Sequence, residues 1–279
     1  MLLEIKTEVF TTGDRFTVAK LLDLAMTGRH DWRPDKATAE SAVRFAELLP
    51  FRSVKEFVQQ ALVEASKPGG AEASVAVITV EQLKELLADL SRPAVLVVED
   101  EINEGCFLVA LAEAFGESRI LRALQEDWLA LGHAGGKDRM EQFVARRRQQ
   151  FSVLIRVAAL MDSDRKHAGH RTRNDTYAAR ILAIDGITEL HMWECRELEN
   201  YIPCRAWEES FPGRAPKVDA LRRMSAQKRR YLDVKEHFGG KAQPLIPDGI
   251  GLTEDDFAEL GPDAVAELRE LLAMIYRIL

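Results

Sequence analysis

The chain has 279 residues, of which 47% are hydrophobic and 30% charged, with a formal net charge of −7. This length supports one large domain or two modest ones with a sizeable core, and the composition is ordinary for a soluble globular protein. The acidic balance argues against a surface that binds nucleic acid everywhere, while leaving room for a local basic groove beside an acidic centre.

The first ten residues, MLLEIKTEVF, carry acids and no long apolar core, so no signal peptide is expected. No apolar stretch approaches the ~20 residues of a membrane helix, and the expectation is a cytoplasmic protein. The three cysteines, Cys106, Cys195 and Cys204, are odd in number and lack CxxC spacing. They read as reduced thiols and not as a disulfide framework or zinc site.

Phe16 to Met26 has a helical apolar pattern after Asp14 or Thr17, and Ala37 to Leu49 reads as a second helix. A third begins at a capping box, Ser53 with Glu56, and places Val54, Phe57, Val58, Ala61 and Leu62 on one face. It runs into SKPGGAEAS, Ser66 to Ser74, the best linker in the chain. Residues 1–73 are therefore expected to form a helical N-terminal region.

Ser74 to Ile78 reads as a short strand, and Thr79 with Gln82 opens a helix carrying Leu83, Leu86, Leu87 and Leu90. Next comes PAVLVVEDE, Pro93 to Glu101, an apolar run that ends in three acids. Such a run predicts a strand buried on both faces, as in a parallel sheet. A helix over Glu104 to Glu117, a weak strand near Trp128 to Leu131 and the turn GHAGG follow. A helix from Lys137 to about Gln150 then leads to a second apolar strand, Val153 to Met161, which ends at Asp162 and Asp164. A helix near Thr176 to Ile184 and a strand Glu189 to Trp193 close the unit. Strands alternating with helices at these lengths predict an α/β domain over residues 74–204, a mostly parallel sheet flanked by helices. Residues 205–279 are expected to be a helical extension, with a basic face over Val218 to Glu236, a Gly/Pro-rich loop over Gly239 to Gly251 and a final amphipathic helix after Pro262.

The acids gather at strand ends: Glu99, Asp100, Glu101 and Glu104; Asp162 and Asp164; Glu194, Glu197 and Glu199. Parallel neighbours point their carboxyl ends to one edge, so three separated clusters can converge on one pocket. Converging carboxylates repel and raise one another's pKa unless a cation neutralises them. Hard divalent cations take oxygen ligands and no His or Cys cluster competes, so the expected cofactor is Mg²⁺ or Mn²⁺. The alternative use of such acids is capping of the helix that follows each strand.

Two families open with a strand like VLVVEDE. A receiver domain also needs one phospho-accepting Asp after its third strand and a Lys–Pro after an apolar fifth. Here the third strand ends in a DxD pair over sixty residues after Glu99, and Lys217 follows Pro216 in a polar loop. A TOPRIM unit carries a Glu after its first strand and Asp-x-Asp after its third, with a further acid after the next strand in nuclease branches. Glu99 in VVEDE, Asp162 and Asp164 in ALMDSDRKH, and Glu197 or Glu199 in RELENYI resemble that order. HAGGK, His133 to Lys137, resembles the Gly-Gly of the overcoming-lysogenization-defect (OLD) nuclease branch. RELENYI is similar to the ENY segment of TOPRIM nucleases in bacterial anti-phage systems.

The resemblance covers about Ala94 to Pro203. It implies a TOPRIM-like (Rossmannoid) sheet and a metal-dependent nuclease acting on DNA, tRNA or another RNA. It also implies an ATPase partner, since the chain has no GxxxxGK[ST] of its own; a homo-oligomer is left open. The implied ligands are Glu99, Asp162 and Asp164, with Glu199 or Glu197 completing a second ion or positioning the water. The family's second acid of the first motif is expected near position 103, which is Asn103 here, so Glu101 or Glu104 would take its place. Arg165, Lys166 and His167 directly after the DxD, and Lys137 at a helix start, are placed to meet phosphate. Tyr201 and Trp193 read as packing groups, Arg146 to Arg148 as a solvated face, and His133, His170 and His191 as structural. The remaining alternatives are a receiver-type, phosphorylation-controlled signalling module and a TOPRIM scaffold without catalysis.

Overall fold

The computed structural model describes residues 1–65, 75–239 and 245–279. The linker expected at Ser66 to Ser74 lies outside the described residues, as does part of the loop Gly239 to Gly251. Among the described residues no helix is long and apolar enough to cross a membrane. The chain divides into two compact units, residues 1–94 with 149–156 and 276–279, and residues 95–148 with 157–275.

The first unit contains β1 (Leu2–Ile5), α1 (Thr7–Thr12), α2 (Arg15–Met26), β2 (Asp31–Trp32), α3 (Lys36–Ala46), α4 (Arg52–Glu64), β3 (Val75–Ile78) and α5 (Leu83–Ser91). Its strands form a parallel sheet in the order β2-β1-β3. The expectation of a purely helical N-terminal region is therefore corrected. LLEI is too short and too near the start to show period-two alternation, and β2 is only two residues long. β3 pairs with β1 from Leu2↔Val75 to Ile5↔Ile78, so it completes this sheet. Asp14 and Asp35 cap α2 and α3 by accepting from the backbone N–H of Thr17 and Thr38. Phe10, between Trp32 at 5.8 Å and Phe45 at 6.0 Å, centres the core.

The second unit holds β4 (Ala94–Val98), α6 (Glu101–Ala114), α7 (Ser118–Gln125), β5 (Leu129–His133), α8 (Lys137–Arg148), β6 (Val157–Met161), α9 (Arg173–Leu182) and β7 (Glu189–Met192). A 3₁₀ turn over Leu198–Tyr201 is followed by short helices α10 (Cys204–Ser210), α11 (Ala215–Arg222), α12 (Ala226–Arg230), α13 (Val234–Phe238) and α14 (Glu254–Ala258), then by α15 (Pro262–Ile278). The basic stretch expected as one helical face is thus broken into three. Ser225 and Asp233 cap the second and third pieces through Lys228 N–H and Glu236 N–H.

Every residue of β4 and β6 is buried, as strands covered on both faces require. β6 starts at Val157, later than the apolar run from Val153 suggests, because Arg156 turns its guanidinium to the carbonyls of Leu90, Arg92, Ile278 and Leu279 in the first unit. The sheet order is β5-β4-β6-β7, with β4, β6 and β7 parallel. From β4 the chain goes out to β5, then crosses back beyond β4 to β6. The order reverses between β4 and β6, and open α/β sheets keep their ligand crevice at the carboxyl ends of such a pair. Glu99 and Asp162 are the first residues past those two ends. Among the described residues β7 is the last strand of this sheet.

Candidate active site at the β4/β6 switch point

Backbone hydrogen bonds to side chains tie the strand ends together. Glu99 Oε1 accepts from the Asp162 N–H at 2.9 Å, and Asp162 Oδ1 accepts from the Leu198 N–H at 2.9 Å. Three loops, after β4, β6 and β7, are therefore fixed to one another by the two acids themselves. The remaining oxygens turn inward, where the Lys137 ammonium lies 3.7 Å from Glu99 Oε2, 3.9 Å from Asp162 Oδ2 and 2.6 Å from Asp164 Oδ2.

The electrostatics follow from this crowding. Burial pushes the Asp162 carboxyl well above the usual carboxylate range, and the negative charge of Glu99 adds to it. Burial likewise raises Glu99, with Lys137 pulling the other way. Burial lowers Lys137, but Asp162, Glu99 and Asp164 together outweigh it and hold the ammonium above its ordinary value.

Asp164 sits in the left-handed region at φ 56°, which a short polar side chain tolerates better than most. Its N–H is held by the Arg196 carbonyl at 2.8 Å. Its Oδ2 also accepts from Asn174 Nδ2 at 3.0 Å, and the same amide donates to the Asp162 carbonyl at 2.8 Å. Asn174 stands in the first turn of α9, which starts at a capping box of Thr172 and Asp175. The motif T-x-x-D is legible in the sequence, but not the role it gives Asn174.

Glu197 and Glu199 form a second buried group around Lys235, whose Nζ is 3.0 Å from Glu197 and 3.1 Å from Glu199. Burial raises Glu197, and Glu199 raises it further. Burial lowers Lys235, but Glu199 and Glu197 win and raise it. Glu197 Oε1 is buried without a hydrogen-bond partner. The rest of RELENYI is scaffolding for this pair. Asn200 accepts from the Glu197 N–H at 2.9 Å and donates to the carbonyls of Arg229 and Leu232, which fixes the start of α13 and hence Lys235. Tyr201, fully buried, receives the Cys195 N–H at 3.0 Å and donates to Glu267. No spacing in the sequence links Lys235 to these acids.

The other expected residues are placed as follows. Glu104 is buried and accepts from the backbone N–H of Glu99 at 3.2 Å and Asp100 at 2.6 Å, so it shapes the turn below Glu99. Burial pushes its carboxyl up to about 8. Glu101 is exposed at the start of α6. Lys166 is exposed and lines a separate hollow of about 580 Å³ with His167, Lys228, Tyr231 and His237. Arg165 is committed to Asp175 at 3.1 Å. His170 stacks on His167, their ring centroids 5.1 Å apart.

Glu99, Lys137, Asp164 and Asn174 open into a cleft of about 870 Å³, whose rim carries Arg139 and Arg171. Among the described residues, no group of three or more His, Cys, Asp or Glu side chains stands in the arrangement that holds a metal ion. Three carboxylates surround the Lys137 ammonium, two of them mostly buried, and it is paired closely with Asp164 and more distantly with Glu99 and Asp162. Comparison with known proteins finds no matching family model, curated protein or solved structure, so the reading of this site rests on its own geometry.

Proposed function

We propose that the second unit is a TOPRIM-like nuclease domain that cleaves nucleic acid phosphodiester bonds with Mg²⁺ or Mn²⁺. The observation that carries this reading is the convergence of Glu99, Asp162 and Asp164 at the switch point of a parallel sheet, beside a cleft rimmed by arginines. Glu99, Asp162 and Asp164 would hold the cation, and Glu199 with Glu197 would complete a second position or orient the attacking water. When bound, such ions lower the pKa of a nearby water and relieve charge on the phosphoryl and leaving oxygens. Asn174 holds the Asp162–Asp164 loop in register, and Lys137, Arg139 and Arg171 face the cleft where phosphate would lie. The wider assignment is an intracellular antiviral effector working with a separate ATPase, because an unrestrained nuclease would damage its host.

The test is incubation of purified protein with Mn²⁺ and plasmid, single-stranded DNA or total tRNA. Cleavage that chelator and Asp162→Asn both abolish supports the assignment. Cleavage that persists in Asp162→Asn, or no cleavage of any substrate, leaves the domain as a scaffold.

A further inference from the structure

The cleft and the hollow share one wall, the loop between β6 and α9. Lys166, His167 and Ala168 of this loop line the hollow, and His170 and Arg171 line the cleft. The two imidazoles stack with ring centroids 5.1 Å apart, and the Lys166 N–H donates to His170 Nδ1 at 3.2 Å. A ligand that follows the loop therefore passes from one opening to the other over stacked rings.

The cleft, at the first turns of α8 and α9, holds charge that folding leaves over. Arg139, Arg171 and Arg173 line it, are exposed, and make no ion pair among the described residues. Arg148, Arg165, Arg196 and Arg230 of the same unit each pair with an acid. The chain has 45 acids to 38 lysines and arginines, so composition does not force arginines to stand alone. Nor do the acids of the cleft cancel them: Asp164 is paired with Lys137, Asp138 accepts from the Tyr177 hydroxyl, and Glu99 accepts from the Asp162 N–H. Unpaired guanidinium groups in one cleft match the oxygens of successive phosphates.

The hollow offers a different chemistry. Its volume of about 580 Å³ falls within the range of small-ligand sites, about 300–1,000 Å³. The rings of His167 and Tyr231 line it, and Lys166 and Lys228 are exposed there without ion pairs among the described residues. Of its two acids, Asp233 is held by Arg196 and by the Glu236 N–H, and Glu236 stands exposed. Aromatic faces beside ammonium groups suit a nucleobase and its phosphate. A base stacked and paired in a duplex does not reach such a hollow, whereas an unpaired one turns out of its strand.

We propose that the second unit binds single-stranded nucleic acid along this loop, with phosphates on Arg139, Arg171 and Arg173 in the cleft and one unpaired base in the hollow against Tyr231 and His167. This rests on the reading above that the unit acts on nucleic acid, and it needs no metal ion. The captured base sets the register, because it fixes which phosphate of the strand lies beside Asp164.

The experiment is titration of the whole chain, in chelator, against short fluorescent oligonucleotides read by anisotropy: DNA and RNA single strands, an abasic strand of the same length, and a duplex. The better-bound single strand should be held at least about tenfold more tightly than the duplex or the abasic strand. Tyr231→Ala and His167→Ala should each weaken single-strand binding about tenfold and leave abasic-strand binding unchanged, with Tyr231→Phe close to the wild type. Replacing Arg139, Arg171 and Arg173 together by Ala should weaken binding of every strand and flatten its salt dependence. Tyr231 is half-buried, so thermal melts accompany its variants, and His167, exposed on the loop, decides the matter if Tyr231→Ala unfolds. A duplex bound as tightly as the single strands, or wild-type affinity in His167→Ala and in folded Tyr231→Ala, overturns the inference. If Mn²⁺-dependent cleavage is seen alongside either result, the nuclease reading survives it. Failure to bind any strand overturns the inference too, and without cleavage the nucleic-acid reading falls with it.

Discussion

Both units bury charged side chains, and they treat them in opposite ways. In the first unit Asp89, fully buried, accepts from the backbone N–H groups of Ser152, Val153 and Leu154 at 3.0, 2.8 and 2.9 Å. Arg156, also fully buried, spends its guanidinium on four backbone carbonyls. Main-chain dipoles meet both charges, joined at Asp89 by the Arg92 guanidinium at 3.2 Å, which stitches residues 149–156 to α5. In the second unit buried acids lie close to one another, and the ammonium groups of Lys137 and Lys235 stand between them. A charge satisfied by backbone builds structure. Buried acids compensated by side chains in a cleft, with shifted pKa values, are the kind of group that functional sites collect.

The sharpest way to break this contrast is to neutralise one acid of the site. Asp162→Asn keeps the oxygen that accepts from the Leu198 N–H but removes the charge that burial and Glu99 already penalise. Cleavage should fall by roughly three orders of magnitude, about 4 kcal/mol of transition-state stabilisation. In chelator the variant should unfold at equal or higher denaturant than the wild type, since relieving a desolvated like-charge pair gains on the order of 1 kcal/mol. A clear loss of stability in urea titration would mean that Asp162 is structural, as Asp89 is.

The converse substitution belongs to the first unit. Asp89→Ala strips three backbone N–H groups of their acceptor and leaves Arg92, 3.2 Å away, without its ion pair. Each unsatisfied buried donor costs about 1–3 kcal/mol, so a loss of roughly 4 kcal/mol is expected by urea titration. Mn²⁺ binding by the fraction that remains folded should be unchanged. A shift in metal affinity would show that the two kinds of buried charge are coupled.

How far the sequence reveals these roles depends on how local each one is. The β4 strand and its Glu99 are legible because five apolar residues in a row followed by acids have few other meanings, and the same holds for β6 and Asp162. The capping box at Thr172 and Asp175 is written within four residues. The N-terminal sheet is not, because β1 and β2 are too short for periodicity and exist only through pairing between residues about thirty and seventy positions apart. Lys235 is invisible for the same reason: its nearness to Glu197 and Glu199 depends on Asn200 gripping carbonyls of residues 229 and 232. Asp89 and Arg156 carry no signal of their own in the sequence, Arg156 lying inside the apolar run Val153 to Met161, until the fold supplies their partners. The reading of Lys137 as a phosphate contact left out the three carboxylates around it, which no spacing predicts.

Glu104 lies between the two classes and gives the most graded test. Like Asp89 it accepts backbone N–H groups, from Glu99 and Asp100, but it also feels the charges of those two residues, and burial pushes its carboxyl up to about 8. An acid whose proton is held more tightly in the folded state favours folding fully below its unfolded pKa, near 4.5. That contribution is lost as pH rises through the folded value. In chelator, wild-type stability should therefore decline between about pH 4.5 and 8. Glu104→Gln keeps an acceptor and cannot ionise, and should not share this part of the decline. At about 1.4 kcal/mol for each tenfold change in proton affinity, the two proteins should diverge by on the order of 3 kcal/mol across that window. Urea titrations at pH 5 and pH 8 measure the divergence directly. Parallel pH profiles would mean that the two backbone N–H groups compensate the Glu104 carboxylate in full, so that burial does not hold its proton.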